Sequence, residues 1–83
     1  MYKLHVLRRA IKDIAKLPPE YIRLVSQHID ELAEEPRPPG VKKLHGRSGY
    51  RIRVGIYRIL YEIDDEAKIV TVYRVKHRRD AYR

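Results

Sequence analysis

The sequence predicts an α+β fold: an N-terminal strand and a two-helix hairpin packed on one face of a small, mainly antiparallel four-stranded sheet, in the order β-α-α-β-β-β. Three observations carry this. The chain has 83 residues, the length of one domain. Apolar residues recur at helical spacing only between Arg8 and Pro36, in a stretch cut by Pro18-Pro19. From Tyr50 onward the period is two. No repeat and no low-complexity segment intervenes, so residues 1–83 read as a single domain.

Each element follows from its pattern. Residues 2–7 (YKLHVL) alternate weakly and read as a strand. Ala10, Ile11, Ile14 and Leu17 then form one apolar stripe, with Lys12, Asp13 and Lys16 facing away. Pro18-Pro19 stops that helix, and Pro19 opens the next, at a position where a missing N–H costs nothing. Ile22, Val25, Ile29, Leu32 and Ala33 make the second stripe, and Pro36 ends it. Residues 35–49 hold three Pro and three of the four Gly, which reads as loop, with Lys43-Leu44 extended. Tyr50, Ile52 and Val54 alternate with Arg51 and Arg53. After Gly55, Tyr57, Ile59, Tyr61 and Ile63 alternate with Arg58, Leu60 and Glu62. Asp64-Asp65-Glu66 is a polar turn. Ile69 to Lys76 is apolar enough for a central strand, and residues 77–83 (HRRDAYR) form a charged tail.

Parity along the hairpin locates a function. A tight turn at Gly55-Ile56 pairs Val54 with Tyr57, Arg53 with Arg58, Ile52 with Ile59, and Tyr50 with Tyr61. Tyr50, Ile52, Ile59, Tyr61 and Ile63 then share the face under the helices. Arg51, Arg53 and Arg58 share the opposite face, with Glu62. Like charges directly opposite on a sheet cost a few tenths to ~1 kcal/mol. Selection for stability alone would not favour Arg53 across from Arg58. An anion between the two guanidiniums turns the repulsion into binding.

Composition agrees. Lys and Arg number 19 against 11 acidic residues, a net charge of +8, and 12 of the 19 are Arg. Guanidinium holds phosphate in a two-pronged fork where ammonium offers a point charge. The excess points to a polyanion, nucleic acid first. The alternative is a basic domain charged only for solubility. Segment 74–83 (RVKHRRDAYR) adds +4, with His77 and Tyr82 among its cations. The absence of Cys excludes a disulfide framework, a Cys-based zinc site and thiol catalysis. No apolar run approaches the ~20 residues of a membrane span, and MYKLHVLRRA lacks a signal-peptide stretch, so a cytoplasmic protein is expected. His5, His28 and His45 have no metal-ligand spacing and read as surface or interface residues. Ser48 has no nucleophile motif around it. Gly46 and Gly49 precede a strand rather than a helix, unlike a phosphate-cradling loop. No metal and no cofactor is expected.

The strand block KKLHGRSGYRIRVGIYRILYEID, followed shortly by VYRVKHRRDAY, resembles the RelE/ParE toxin superfamily, in its RelE-like branch. The resemblance rests on Lys43-Leu44 with Gly46, on Tyr50 to Gly55, on Tyr57-Arg58 with Tyr61, and on His77-Arg78 ending in Tyr82. It covers nearly the whole chain. It implies a toxin of a type II toxin–antitoxin pair: a ribosome-dependent endoribonuclease that cuts mRNA in the A site. The reaction is metal-independent attack of a 2′-hydroxyl on the adjacent phosphate. The implied partners are a small acidic RelB-like antitoxin, the ribosome with its mRNA, and operator DNA through the antitoxin; no membrane is implied. By the same resemblance Arg51, Arg53 and Arg79 bind RNA, Arg58 and Arg78 are catalytic on the phosphate, and Tyr82 stacks on the nucleotide. Arg is a poor general base. That role stays open: His77 and Tyr82 are the nearby candidates and Glu62 a remote third, with partial supply by the ribosome, or proton removal that lags behind charge stabilisation, as the alternatives. Two other readings share the fold: a ParE-like DNA gyrase poison, and a non-catalytic basic module that binds nucleic acid or antitoxin.

Overall fold

The computed structural model describes residues 1–44 and 49–80. Its elements are β1 (Lys3–Val6), α1 (Arg8–Ala15), α2 (Pro19–Glu31), β2 (Lys42–Lys43), β3 (Tyr50–Val54), β4 (Tyr57–Asp64) and β5 (Ile69–His77). The sheet order is β1-β5-β4-β3-β2, with β1 parallel to β5 and every other pair antiparallel. The α+β arrangement is as expected, but the sheet has five strands rather than four. The addition is β2, where Lys42 and Lys43 pair with Arg51 and Tyr50. Two residues carry no period to read; only the proximity of β3 makes them a strand.

The helical side supplies Ala10, Val25, Ile29 and Leu32 to the core. The sheet supplies Ile52, Val54, Ile59, Tyr61, Val70, Val72 and Val75. Pro19 takes the first position of α2, as expected. Ile11, assigned to the buried stripe, is instead 54% exposed. An eight-residue helix lying against β5 covers only the side carrying Ala10 and Ile14. Along β5 the pairing steps from Tyr61–Val72 to Leu60–Arg74. Tyr73 is therefore an extra residue, a bulge that changes the strand's parity. It lets Val70, Val72 and Val75 all face the core despite their uneven spacing.

Two polar clusters fix the edges. Beyond the end of β1, the N–H of Val75 donates to Asp13 Oδ2 at 2.9 Å, and Arg74 Nε donates to the same oxygen at 2.8 Å. Burial alone would raise the Asp13 carboxyl. The Arg74 and Val75 hydrogen bonds and the Arg74 and Lys16 charges outweigh it and hold the group below its ordinary 3.8. At the other end of the sheet, Arg37 donates to both oxygens of Asp65, at 3.2 and 3.0 Å, and to the Tyr50 hydroxyl at 3.3 Å. Tyr2 donates to Asp65 Oδ1 at 2.6 Å. Tyr61 stacks on Tyr50 and donates to the Pro36 carbonyl at 2.7 Å. The loop after α2 is thus tied to β1, β3 and β4.

The Gly55-Ile56 turn sets the hairpin. Gly55 has φ +61°, the positive value needed at the first central position of a two-residue loop. A Cβ there would lie 2.8 Å from the ring and hydroxyl of Tyr21, which comes from α2. Gly55→Ala should therefore cost about 1–3 kcal/mol in chemical denaturation. In a Tyr21→Ala background only the positive-φ part, about 1 kcal/mol, should remain. Equal cost in both backgrounds would show that the Tyr21 contact is not limiting.

Acid unfolding tests the Asp65 cluster. Hydrogen bonds from Arg37 first, then Tyr2, lower the Asp65 carboxyl from 3.8 to about 2. A depressed carboxyl contributes stability above its unfolded value and loses it as pH falls towards the folded one. Asp65→Asn should flatten the fall of stability between about pH 4 and 2 while leaving other acid-sensitive steps in place. An unchanged slope would mean the cluster does not form in solution.

Candidate anion site

The β3–β4 pairing is the expected one, with Val54 opposite Tyr57, Arg53 opposite Arg58, Ile52 opposite Ile59 and Tyr50 opposite Tyr61. Arg53 and Arg58 lie on the face away from the core, with Arg51 and Leu60 one pair along. Leu60 is buried yet stands outside the core cluster, as it must on that face. Pairing with β5 then places Lys76 opposite Arg58. Three cations, Arg53, Arg58 and Lys76, therefore form one row across three strands. Lys76 was not singled out in the sequence, because the Tyr73 bulge breaks the parity that would have revealed it.

Arg58 stands at the centre. Its residue is only 7% exposed. Burial pushes its guanidinium below the ordinary value of 12.5, and Arg53, Arg51 and Arg78 push it further the same way. Four arginines thus act on one another, and all four were singled out from sequence. Arg78 reaches the group through its backbone N–H, which donates to Ile56 O at 2.7 Å and anchors the chain beside the hairpin turn. Like-signed charges held this way make a strong local field for an anion.

A cavity of about 560 Å³ opens against this row. Arg51, Arg53, Arg58 and Ile52 form its sheet wall. His28, Glu31 and Leu32 form the wall from the end of α2, and Pro38, Pro39, Gly40 and Lys42 close it. The volume suits a nucleotide-sized ligand. His28, Glu31 and Lys42 were not read as site residues. They lie far from the arginines in sequence, and no motif connects them.

The other candidate residues fall elsewhere. His77 pairs with Tyr57, in the row facing the core, and its ring meets Tyr57 edge-on at 5.9 Å. It ends β5 rather than belonging to the tail, and its Nδ1 accepts the Arg79 N–H at 3.2 Å. Arg79 is exposed in the turn that follows. Glu62 is exposed and pairs with Thr71, four residues or about 13 Å along β4 from Arg58. Tyr82 lies outside the described residues, as do His45, Gly46 and Ser48. Among the described residues no cluster of His, Asp and Glu could hold a metal ion, and no helix is long and apolar enough to cross a membrane.

With this geometry in hand, the chain can be set beside known proteins. A family model described as the ParE toxin of type II toxin–antitoxin system, parDE, matches residues 4–82. The toxin RelG of Mycobacterium tuberculosis is 37% identical over 84 residues, covering 99% of this chain and 97% of the relative. The toxin–antitoxin complex RelBE2 of the same organism contains a chain with a TM-score of 0.81 and 34% identity, over 92% of this chain and 96% of that one. A chain of the archaeal RelE–RelB complex from Pyrococcus horikoshii OT3 gives 0.85 and 29%, over 96% and 98%.

The anion site has a direct test. At matched ionic strength, replacing chloride by inorganic phosphate should raise the wild-type melting temperature. Phosphate at a hundred times its Kd adds about 2.7 kcal/mol. Arg58→Leu should lose most of that increment. An equal increment in the variant would make the effect general salting rather than binding.

Proposed function

The chain belongs to the RelE/ParE family of toxins of type II toxin–antitoxin systems, and from that premise we propose that it is a ribosome-dependent mRNA endoribonuclease. The observation that carries this reading is the row Arg53–Arg58–Lys76, with Arg51 and Arg78 acting on its centre, at a cavity of nucleotide size. In the proposed reaction the 2′-hydroxyl of a nucleotide attacks the adjacent phosphorus. A cyclic 2′,3′-phosphate and a free 5′-hydroxyl result. Negative charge grows on the phosphorane oxygens. Arg58 and Arg78 stabilise it, and such preorganised charge is usually the largest catalytic contribution. Arg51 and Arg53 hold the backbone in line, Arg79 adds phosphate contacts, and Tyr82 stacks under a nucleobase.

A small acidic RelB-like antitoxin is the proposed inhibitor. Solved relatives form RelB complexes. A net charge of +8 would favour an acidic partner that screens the arginine row and excludes RNA.

Expression of the chain without antitoxin should stop growth and translation. Arg58→Ala and Arg78→Ala, made separately, should each lower cleavage on programmed ribosomes by about 10²–10³ and restore growth while keeping antitoxin binding. Toeprinting of a translated mRNA should show a new A-site product with the wild type. No such product, together with loss of supercoiling by purified gyrase, would replace this reading with the gyrase one.

A further inference from the structure

Resting on that reading, we infer that His28 is the general base that takes the proton from the attacking 2′-hydroxyl. The arginine row cannot supply this function, since guanidinium stays protonated at physiological pH. His77 is poorly arranged for it. Its Nδ1 accepts the Arg79 N–H, so the neutral ring carries its proton on Nε2 and has no lone pair there to offer. Its ring also lies against Tyr57, and it does not line the cavity that Arg51, Arg53 and Arg58 line.

His28 has the complementary arrangement. It is half-buried near the end of α2, and its Nδ1 lies 2.9 Å from the Leu24 carbonyl oxygen. A carbonyl has no proton to give, so Nδ1–H donates and the neutral ring keeps its lone pair on Nε2. The same side chain lines the cavity that Arg51, Arg53 and Arg58 line from the sheet. A cavity of 560 Å³ is about 10 Å across if roughly round. A single nucleotide can therefore touch both walls.

The charged groups that line the cavity with His28 are Glu31 on its own helix, Lys42 of β2, and the three arginines. Glu31 is exposed, whereas His28 is held by the Leu24 carbonyl. The step balances within these groups. The 2′-O–H proton passes to His28 Nε2, leaving an imidazolium, and the oxygen's electron pair forms the new P–O2′ bond. The P–O5′ bond breaks with its electron pair on O5′, which takes a proton from water. The imidazolium then returns its proton to solvent.

The test is single-turnover cleavage of mRNA on programmed ribosomes by wild type, Arg58→Ala, His28→Gln, His28→Ala and Glu31→Gln, each measured between about pH 6 and 8.5. His28→Gln and His28→Ala should be slower at neutral pH by about 10²–10⁴. The rise of rate with pH should flatten in both, while antitoxin binding and the melting temperature stay close to wild type. A purely structural role would lower the rate without changing the pH profile, and that result overturns the inference. So does wild-type cleavage by both His28 variants while Arg58→Ala is slow, or a loss confined to Glu31→Gln. Absence of cleavage by the wild type removes the reading and the inference with it.

Discussion

The arrangement depends on one turn. Gly55 takes a positive φ, and the ring of Tyr21 from α2 would lie 2.8 Å from a Cβ placed there. The β3–β4 loop has two residues, and a two-residue loop fixes register. In that register every apolar strand residue of the hairpin except Leu60 faces the helices, with Ile56 exposed in the turn, and Arg53 must face Arg58. A slip of β3 by one residue would put Arg51 and Arg53 under α2 and expose Ile52. The core and the charged row are thus consequences of the same constraint. Neither can be lost without the other.

Burying a guanidinium beside three others opposes folding. The fold offsets this by separating the two faces. Ile59, Tyr61, Val70 and Val72 are fully or almost fully removed from water on one side, and the cations gather on the other. The Tyr73 bulge does a second job here. It keeps Val72 and Val75 in the core and still delivers Lys76 to the charged side. Destabilisation at Arg58 is the expected signature of a site shaped for an anion rather than for its own stability. The polar ties at the sheet's edges, Asp13 to Arg74 and Arg37 to Asp65, lie outside the row. They leave the row's charge available to a ligand.

The cavity gives the row a second wall. The end of α2 adds His28 with its lone pair turned away from its own helix carbonyl, and Glu31 beside it. Cations from the sheet and an imidazole from the helix therefore line one cavity. That arrangement follows from the order of the chain, in which the loop through Pro38–Gly40 leads from α2 round to β2 beside the arginines.

Much of this was legible in the sequence because it is local. Period 3.6, period 2, the Pro18-Pro19 break between the helices and a glycine turn mark the helices, the hairpin, its register and the face shared by Arg51, Arg53 and Arg58. Other features were not legible because they depend on residues distant in the chain. β2 is a strand only because β3 lies beside it, and Ile11 is exposed because α1 meets a single strand. Lys76 joins the row only after a bulge that no spacing announces. His28 reads as one more surface histidine until the loop after α2 folds back and closes a cavity that it lines with the arginines. The sequence by itself determined which side chains share a face, since that is set by backbone periodicity. Only the tertiary structure decided which faces meet, because that depends on long-range pairing and packing that no local pattern encodes.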